Sequence, residues 1–356
     1  MVDVSPADPS GVVDRTALAA WLRGQGFGEW SGELEPVGGG TQNVVLRTVV
    51  DGRPLVLRSS PVHPRPESAR TIAREITVLG ALRGTDVPHP ELVAACTDTD
   101  VLGRPFYLMT DVDGVNPGER VSPEQAATPA LRHGAVLDVA RAAARLGRLD
   151  PAAVGLDGLR RPGPFLERQV PRWTAQLASY SEVPGYDPGD LPDVAVAADW
   201  LTRHRPPEPE PGVAHGDLHL NNVLLDRTRP RVAALVDWEM CTVGDPLLDL
   251  GWLLVTWPVD PVGFGAGTEL AGHGGLPTRA ELVAAYTDAG GRDTTDITWY
   301  AGLAAFKLGV VLEGTWARVA AGEADRAVGE RLHAAAVALL ELAVRIARDE
   351  WAVSAG

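Results

Sequence analysis

Cysteine, long apolar runs and positive charge are all scarce in this sequence, and each shortage argues against a class of protein. Cysteine occurs at Cys96 and Cys241, too few for a disulfide framework, which suggests a reducing compartment. No uninterrupted apolar run approaches the roughly 18 residues that a membrane span needs. Residues Met1 to Gly11 carry acids and prolines rather than a basic and then an apolar stretch, so no signal peptide is expected. These features predict a soluble, cytoplasmic protein with no membrane partner.

Basic residues number 32 against 47 acidic residues, a formal charge of −15. An electrostatic grip on nucleic acid is therefore not expected. Lysine is rarer still: Lys307 is the single lysine, and the other 31 basic residues are arginines. Any role that normally needs lysine at another position must therefore fall to arginine. Lys307 lies on a predicted long helix, where we expect its charge to extend toward solvent, with a cleft-facing position as the alternative.

The chain has 356 residues, 45% of them hydrophobic, which predicts about two packed lobes. An exposed connector from Asp111 to Pro117 marks the boundary, giving lobes 1–111 and 112–356. In the first lobe, apolar patterns predict a helix at Asp14 to Gly24, strands at Leu34 to Val37, Asn43 to Val50, Pro54 to Arg58, Glu91 to Ala95 and Pro105 to Thr110, and a helix at Glu67 to Arg83. A glycine run and an Asp51-Gly52 turn separate the first three strands, which favours an antiparallel sheet.

The second lobe is mostly helical by its 3.6-residue periodicity. Strand signals interrupt it only between Val213 and Asp237. Helices are predicted at Pro123 to Leu149, Pro164 to Tyr180, Val194 to His204, Pro246 to Thr256, Thr278 to Ala289, Ile297 to Ala321 and Ala324 to Trp351. The predicted fold class is α+β, with a small antiparallel-sheet lobe followed by a larger, mainly helical lobe.

The strongest chemical motif is a loop between two predicted strands, with the sequence His-Gly-Asp-Leu-His-Leu-Asn-Asn starting at His215. It places Asp217 and Asn222 five positions apart. Kinase phosphoryl transfer uses a carboxylate that accepts a hydroxyl proton and an amide oxygen that binds Mg²⁺. Asp217 is therefore the predicted base and Asn222 a predicted metal ligand.

A second carboxylate, Asp237, ends the apolar strand that runs from Val232 to Val236. Two antiparallel strands joined by the turn from Asp226 to Pro230 would bring Asn222 and Asp237 together. Oxygen ligands of this kind suit an Mg·ATP complex. Asp237 is therefore the second predicted metal ligand.

These motifs resemble one family over nearly the whole chain. His215-Gly216-Asp217 with Asn222, then Asp237-Trp238-Glu239, then Gly244-Asp245-Pro246 and Asp249, are similar to the aminoglycoside phosphotransferase and related small-molecule kinase family. Stretches at 82–87 (LRGTDV), 168–173 (RQVPRW) and 314–318 (GTWAR) resemble one branch, the kinase-like domains of acyl-CoA dehydrogenase family members 10 and 11. The resemblance implies a two-lobed protein-kinase-like fold.

It also implies a nucleotide site. The family's nucleotide loop corresponds to residues 38–43, its ion-pair glutamate to Glu75, and its hinge to residues 106–112. The third strand offers Arg58 where the family usually has lysine, and a guanidinium can fork to phosphate and to Glu75. The nucleotide-binding residues implied are Gly39, Gly40, Thr41, Asn43, Arg58, Glu75, Thr110, Asp111 and Val112.

Three residues are interpreted as structural support for the site. His215 would hold the catalytic loop by hydrogen bonds. Asp245 precedes Pro246 and would cap the helix that follows. Asp249, one turn later, would hydrogen-bond the catalytic loop.

The function expected is transfer of the γ-phosphoryl group of ATP or GTP, with Mg²⁺, to a hydroxyl of a small molecule. The partners are a nucleotide and a hydroxylated substrate, with no nucleic acid; a homodimer stays open. Two alternatives remain. One is a nucleotide-binding pseudokinase, suggested by the missing lysine. The other is a zinc hydrolase that uses His215, Asp217 and His219, which would leave Asn222 and Asp237 unexplained.

Overall fold

The computed structural model describes residues 13–37, 43–61, 68–258, 267–351 and 353. The chain divides into two compact units. Unit 1 is Met1–Gly114 with Ala233–Cys241, and unit 2 is Val115–Val232 with Thr242–Gly356. The segment 233–241 belongs to unit 1, although the predicted boundary after Asp111 placed it in the second lobe. In the part of the chain that is described, no helix combines the length and the apolar character that a membrane span requires.

Unit 1 is built on an antiparallel five-stranded sheet in the order β1-β2-β3-β5-β4. The predicted antiparallel sheet is confirmed. Residues of β2 alternate between buried and exposed positions, as one covered face requires, and Asp51 and Gly52 make the turn to β3 with positive φ angles of 52° and 71°. The strands are β1 (Glu35–Pro36), β2 (Val44–Val50), β3 (Arg53–Ser59), β4 (Leu92–Cys96) and β5 (Phe106–Thr110).

Strand β3 is buried on both faces from Leu55 onward. Leu55 and Leu57 join the apolar core that includes the first helix, while Val56 and Arg58 point to the opposite face. Arg58 lies directly opposite Tyr107 of β5 in the strand register. The period of two therefore puts a cation and a phenol side by side on an interior face.

The helices of unit 1 are α1 (Arg15–Gly24), α2 (Ser68–Leu82) and α3 (Thr99–Leu102). Asp14 begins α1 because its carboxylate accepts the N–H groups of Thr16 and Ala17 at 2.9 and 3.0 Å. The buried stripe of α2 consists of Ile72, Glu75, Val78, Leu79 and Leu82. Glu75 thus belongs to the apolar stripe by its position on the helix, and this carries its carboxylate into the interior.

Unit 2 is mainly helical, as predicted. Its helices are α4 (Pro123–Ala127), α5 (Pro129–Gly147), α6 (Gln169–Tyr180), α7 (Val194–Arg203), α8 (Leu247–Val255), α9 (Thr268–Gly272), α10 (Arg279–Asp288), α11 (Ile297–Ala320) and α12 (Arg326–Ala347). Strand β6 (Gly212–Ala214) pairs antiparallel with β9 (Thr242–Gly244). The other strands in the described part of the chain are β7 (Val223–Leu225) and β8 (Val232–Leu235).

One predicted helix is broken in two. Sequence analysis expected a continuous helix from Pro123 to Leu149, but Thr128 adopts an extended conformation, with φ −122° and ψ 97°, between α4 and α5. A residue that precedes proline is disfavoured in the helical region, and Pro129 then starts α5 at its first position.

Helices α8 and α11 pack closely at Gly251. A Cβ placed on Gly251 would lie 2.7 Å from the carbonyl oxygen of Tyr300 on α11. Only glycine therefore allows this spacing. Both helices also carry side chains of the candidate site, Asp249 and Trp252 on α8 and Lys307 on α11.

Candidate active site

The loop at residues 215–222 follows β6 and is held at its start by α8. Gly216 has φ 84°, a left-handed conformation that glycine adopts without strain. Asp249 of α8 accepts the backbone N–H groups of His215 and Gly216 at 2.6 and 2.8 Å. Burial raises the pKa of Asp249, and these two hydrogen bonds oppose the rise. Asp249 thereby fixes the backbone next to Asp217.

Asp217 and Asn222 are in direct contact. The Nδ2 atom of Asn222 donates to the Oδ2 atom of Asp217 and to the Asp217 carbonyl, both at 2.9 Å. The Nε2 atom of His219 lies 3.5 Å from the Oδ1 atom of Asp217. Since the backbone N–H of Asn221 donates to Nδ1 of His219, we assign the imidazole proton to Nε2, facing the carboxylate.

The pKa of Asp217 is lowered. Burial would raise it, but the hydrogen bond from His219 and the nearby charge of Lys307 act against burial, and the net shift is downward. Asp217 is consequently an ionised carboxylate at neutral pH, with 28% of its side chain exposed.

Asp245 and Tyr300 join α8 to α11. The Oδ1 atom of Asp245 accepts the N–H of Leu247 at 3.0 Å, and the phenol of Tyr300 donates to Oδ2. Burial raises the pKa of Asp245, and both hydrogen bonds counteract this.

His215, the first residue of the loop that carries Asp217, is itself fully buried.

Lys307 does not extend to solvent, so that expectation was wrong. Only 9% of the residue is exposed. Its Nζ atom donates to the carbonyl of Gly216 at 3.3 Å and lies 4.4 Å from the ring centroid of Trp252. Because α11 is apolar around most of its circumference, the lysine side chain is drawn into the interior, where an indole face and a backbone carbonyl replace water.

In unit 1, Arg58 lies between two carboxylates. Its Nη2 atom is 2.7 Å from Oε1 of Glu75, a close ion pair without hydrogen-bond alignment, and 2.8 Å from Oδ1 of Asp237, a hydrogen bond. The phenol of Tyr107 donates to Oε2 of Glu75 at 3.1 Å. Burial would lower the pKa of Arg58, but Glu75, Tyr107 and Asp237 raise it, so the guanidinium stays charged.

Asp237 has an unusual backbone. Its φ of 66° is left-handed, which costs a non-glycine residue on the order of 1–2 kcal/mol. Glu75, Asp237 and Glu239 bring one carboxylate oxygen each to within 4.8 Å of one another, a grouping able to hold a metal ion. Arg58 already contacts the first two of these residues. The positive charge that compensates Glu75 and Asp237 is therefore supplied by the guanidinium of Arg58.

Apart from Arg58 and Glu75, the predicted nucleotide residues belong to the loop before β2 and to the hinge. Gly39, Gly40 and Thr41 lie outside the described residues, and Asn43, half-buried, directly precedes β2. In the hinge, the N–H of Thr110 donates to Glu91 and that of Asp111 to Pro54. The Asp111 carboxylate forms a two-point contact with Arg47, at 2.5 and 3.1 Å. These backbone donors and this carboxylate are thus engaged within unit 1. Of the three hinge residues, Val112 is therefore the candidate for a backbone contact with a nucleotide.

The sequence predicts no site role for Tyr107, a core position for Trp252 and, for His219, only the role of a zinc ligand. Tyr107 could not be found because its partner depends on the register of β3 and β5. His219 was accessible: it lies two residues after the base within the same loop. The rarity of lysine was the signal that pointed to Lys307.

Comparison with known proteins identifies the family. A sequence model of the Phosphotransferase enzyme family matches residues 33–284. Acyl-CoA dehydrogenase family member 11 of Gallus gallus is 30% identical over 293 residues, which is 80% of this chain and 37% of that protein. Acyl-CoA dehydrogenase family member 10 of Mus musculus is 26% identical over 351 residues, 97% of this chain and 32% of that protein. The chain spans about a third of the length of these relatives.

Solved structures agree on the fold. A crystal structure from Ralstonia eutropha, provisionally assigned as an aminoglycoside phosphotransferase, has a TM-score of 0.75 and 31% identity and covers 95% of this chain and 99% of its own. A thermostable mutant of aminoglycoside phosphotransferase APH(4)-Ia, in a ternary complex with AMP-PNP and hygromycin B, has a TM-score of 0.59 and 17% identity, and the match covers 92% of this chain and 98% of that one. The chain belongs to the phosphotransferase enzyme family, and its protein-kinase-like fold and its resemblance to the two acyl-CoA dehydrogenase family members are confirmed.

Proposed function

We propose that this protein transfers the γ-phosphoryl group of ATP or GTP, with Mg²⁺, to a hydroxyl of a small molecule. The observation that carries the proposal is the ionised, partly exposed carboxylate of Asp217, fixed by Asn222, His219 and the Asp249-bound loop. Membership of a phosphotransferase family supports it. We further propose that residues 1–111 form the nucleotide-binding lobe and residues 112–356 the catalytic and substrate-binding lobe, apart from the segment 233–241, which belongs to unit 1.

Asp217 orients the acceptor hydroxyl and takes its proton. A carboxylate with a lowered pKa is a weak base, so its main contribution is alignment, and the proton moves as the bond to phosphorus forms. His219 holds one carboxylate oxygen and Asn222 the other, which restricts the side chain to one orientation. Such positioning supplies much of the rate enhancement in phosphoryl transfer.

Asn222 and Asp237 are the proposed Mg²⁺ ligands, and their donor chemistry fits that ion. The amide nitrogen of Asn222 is used on Asp217, so its oxygen is the atom left for a cation. Asp237 binds Arg58 through Oδ1 and keeps Oδ2. These are hard oxygen donors of the kind Mg²⁺ prefers, and bound Mg²⁺ would neutralise charge on the phosphate oxygens.

Arg58, anchored by Glu75, is the proposed phosphate contact of unit 1, together with the backbone of Gly39, Gly40, Thr41 and Asn43. The hinge residues Thr110, Asp111 and Val112 are proposed to border the adenine, with Val112 as the backbone contact. The acceptor class stays open among aminoglycosides, amino alcohols, sugars and hydroxyacyl compounds.

A second candidate is a nucleotide-binding pseudokinase. The observation in its favour is the 2.8 Å hydrogen bond from Arg58 to Asp237, which occupies one oxygen of a proposed metal ligand. Turnover separates the two candidates, because a pseudokinase binds nucleotide without acceptor-dependent ADP formation.

The test is release of ADP from Mg·ATP, or of GDP from Mg·GTP, across those four acceptor classes, with Asp217→Asn as the matched variant. We expect acceptor-dependent turnover that falls at least about 10²-fold in the variant, while nucleotide affinity changes little. Nucleotide binding without turnover on any acceptor would favour the pseudokinase. Near-normal turnover of Asp217→Asn would remove Asp217 from the mechanism.

A further inference from the structure

Two cations share one indole ring beside the proposed base. The guanidinium carbon of Arg172 lies 4.6 Å from the ring centroid of Trp173, and Nζ of Lys307 lies 5.7 Å from the same centroid. Lys307 also donates to the carbonyl of Gly216, the residue before Asp217. The charge of Arg172 reaches Lys307, because after burial it helps to lower the pKa of Lys307, and an anion bound by both cations would relieve their repulsion.

Further arginines adjoin this pair. Arg161 and Arg168 are near enough to lower the pKa of Arg172, although burial is the larger cause of that shift. We call Lys307, Arg172, Arg168 and Arg161 the cationic strip. Its members are close together in a chain whose formal charge is −15, so the local charge beside the base is opposite to the charge of the whole.

Acidic groups of the protein face the Lys307 end of the strip but are already engaged. Asp249 accepts two backbone N–H groups of the loop, and Asp217 is bound by Asn222 and His219. Burial and the charge of Arg172 lower the pKa of Lys307 to about 8, against the raising effect of Asp217 and Asp249. Protein carboxylates therefore compensate the ammonium only in part.

The far end of the strip opens into a cavity. Arg161, Arg168 and Phe165 line a space of about 290 Å³, together with Glu208. The Glu208 carboxylate accepts the backbone N–H groups of Phe165 and Leu166, so its charge is partly satisfied inside the protein. The cavity offers room for a group at the Arg161 and Arg168 end of the strip.

We propose that the cationic strip is the acceptor's anion subsite. The acceptor, whose hydroxyl is oriented by Asp217, would then also carry a carboxylate or phosphate that is bound by Lys307 and Arg172. This deepens the proposed function and rests on it. Arg172 is exposed and presents guanidinium donors that fork to either anion, and Lys307 adds a second charge at the side of the base. The strip disfavours a polycationic aminoglycoside, because it would place like charges together.

The experiment compares acceptors in matched pairs: hydroxycarboxylates against their primary amides, sugar phosphates against the free sugars, and aminoglycosides as the cationic arm. In each productive pair we expect the anionic member to have a kcat/KM at least about tenfold higher, the effect of a charge-assisted contact. The first pair tests a carboxylate and the second a phosphate.

Arg172→Gln should reduce this preference to about parity, mainly through KM, and Lys307→Met should do the same while Lys307→Arg retains it. The matched control is Arg326→Gln, because Arg326 is also an exposed arginine over an indole, 6.0 Å from the ring of Trp316, but lies on α12. Arg172 is a surface residue, so Arg172→Gln remains informative even if a Lys307 variant does not fold.

A second readout is an equilibrium titration, made with an acceptor that the first experiment has shown to be turned over. Labelling with [ε-¹³C]lysine gives one protein signal, since Lys307 is the single lysine. Saturation with an anionic acceptor that is turned over should raise the titration midpoint of Lys307, and Arg172→Gln should weaken that acceptor. Turnover with equal preference for neutral or cationic acceptors, and no change in the Lys307 midpoint, would overturn the subsite while leaving the phosphotransferase intact. Absence of turnover on every acceptor would instead contradict the proposed function itself.

Discussion

Arg58 determines how two acidic residues can coexist inside unit 1. Glu75 is fully buried, and burial raises its pKa to about 7, with Arg58 opposing the rise. A buried ion pair is not by itself a large source of stability, but removing one partner leaves the other charge uncompensated. The cost of losing Arg58 therefore depends on whether Glu75 is still present.

We expect Arg58→Ala to lower the free energy of unfolding by about 3 kcal/mol, measured by urea denaturation at pH 7.5. The same substitution in a Glu75→Gln background should cost at least about 1 kcal/mol less, because no buried carboxylate is left unpaired. Arg58→Lys serves as the control that keeps the charge but loses the planar fork. Equal losses in both backgrounds would show that the two side chains do not interact energetically.

Lys307 gives a stability effect of defined sign. Its folded pKa of about 8 lies below its ordinary value of 10.5, so between these pH values the unfolded chain binds the proton that the folded chain has released. Stability of the wild-type protein should therefore rise with pH through this window, by on the order of 3 kcal/mol relative to Lys307→Met.

Unfolding of both proteins from pH 7 to pH 10 measures this difference, because titrations of other groups largely cancel between them. A parallel pH dependence of wild type and Lys307→Met would mean that the amine titrates as it does in solvent. The opposite slope would require an unrecognised anion against Lys307.

At the scale of elements, α8 and α11 act together because they carry the residues that hold the catalytic loop. Gly251→Ala would put a Cβ 2.7 Å from the Tyr300 carbonyl and force the two helices apart. We expect a loss of about 1–3 kcal/mol in stability, and a fall in turnover as Asp249 and Lys307 separate from the loop. Gly272→Ala, a helical glycine with open space around it, is the matched control and should be nearly neutral.

Thermal unfolding and ADP release measure both effects. A Gly251→Ala protein with wild-type stability would mean that α8 can shift without cost. Normal turnover despite lower stability would mean that the loop does not depend on the spacing of these helices.

The elements themselves were largely predictable, since strong apolar periodicity marks the sheet of unit 1 and the long helices of unit 2. Errors occurred where proline or register decided the outcome. Pro129 divides a helix that periodicity alone joins. The meeting of Arg58 and Tyr107 depends on strand register, and the burial of Lys307 on packing around α11, and neither can be read from local sequence.

At the scale of the whole molecule, the formal net charge of −15 attracts any cationic compound. We expect aminoglycosides to bind weakly at low ionic strength and to lose this affinity above about 0.15 M salt, where the Debye length is about 8 Å. Calorimetric titration at several salt concentrations, with ADP release in parallel, tests this. Salt-independent binding with turnover would identify an aminoglycoside as a specific acceptor.

The composition of unit 1 has a consequence for biosynthesis. Its residues 233–241, which supply the Asp237 partner of Arg58, leave the ribosome only after all of Val115–Val232 has been made. At about 5–20 residues per second, several seconds separate the emergence of the sheet from that of this segment. The nascent N-terminal portion must therefore persist in an incomplete state, with Arg58 lacking one of its carboxylates, so the two units cannot mature strictly in the order of translation.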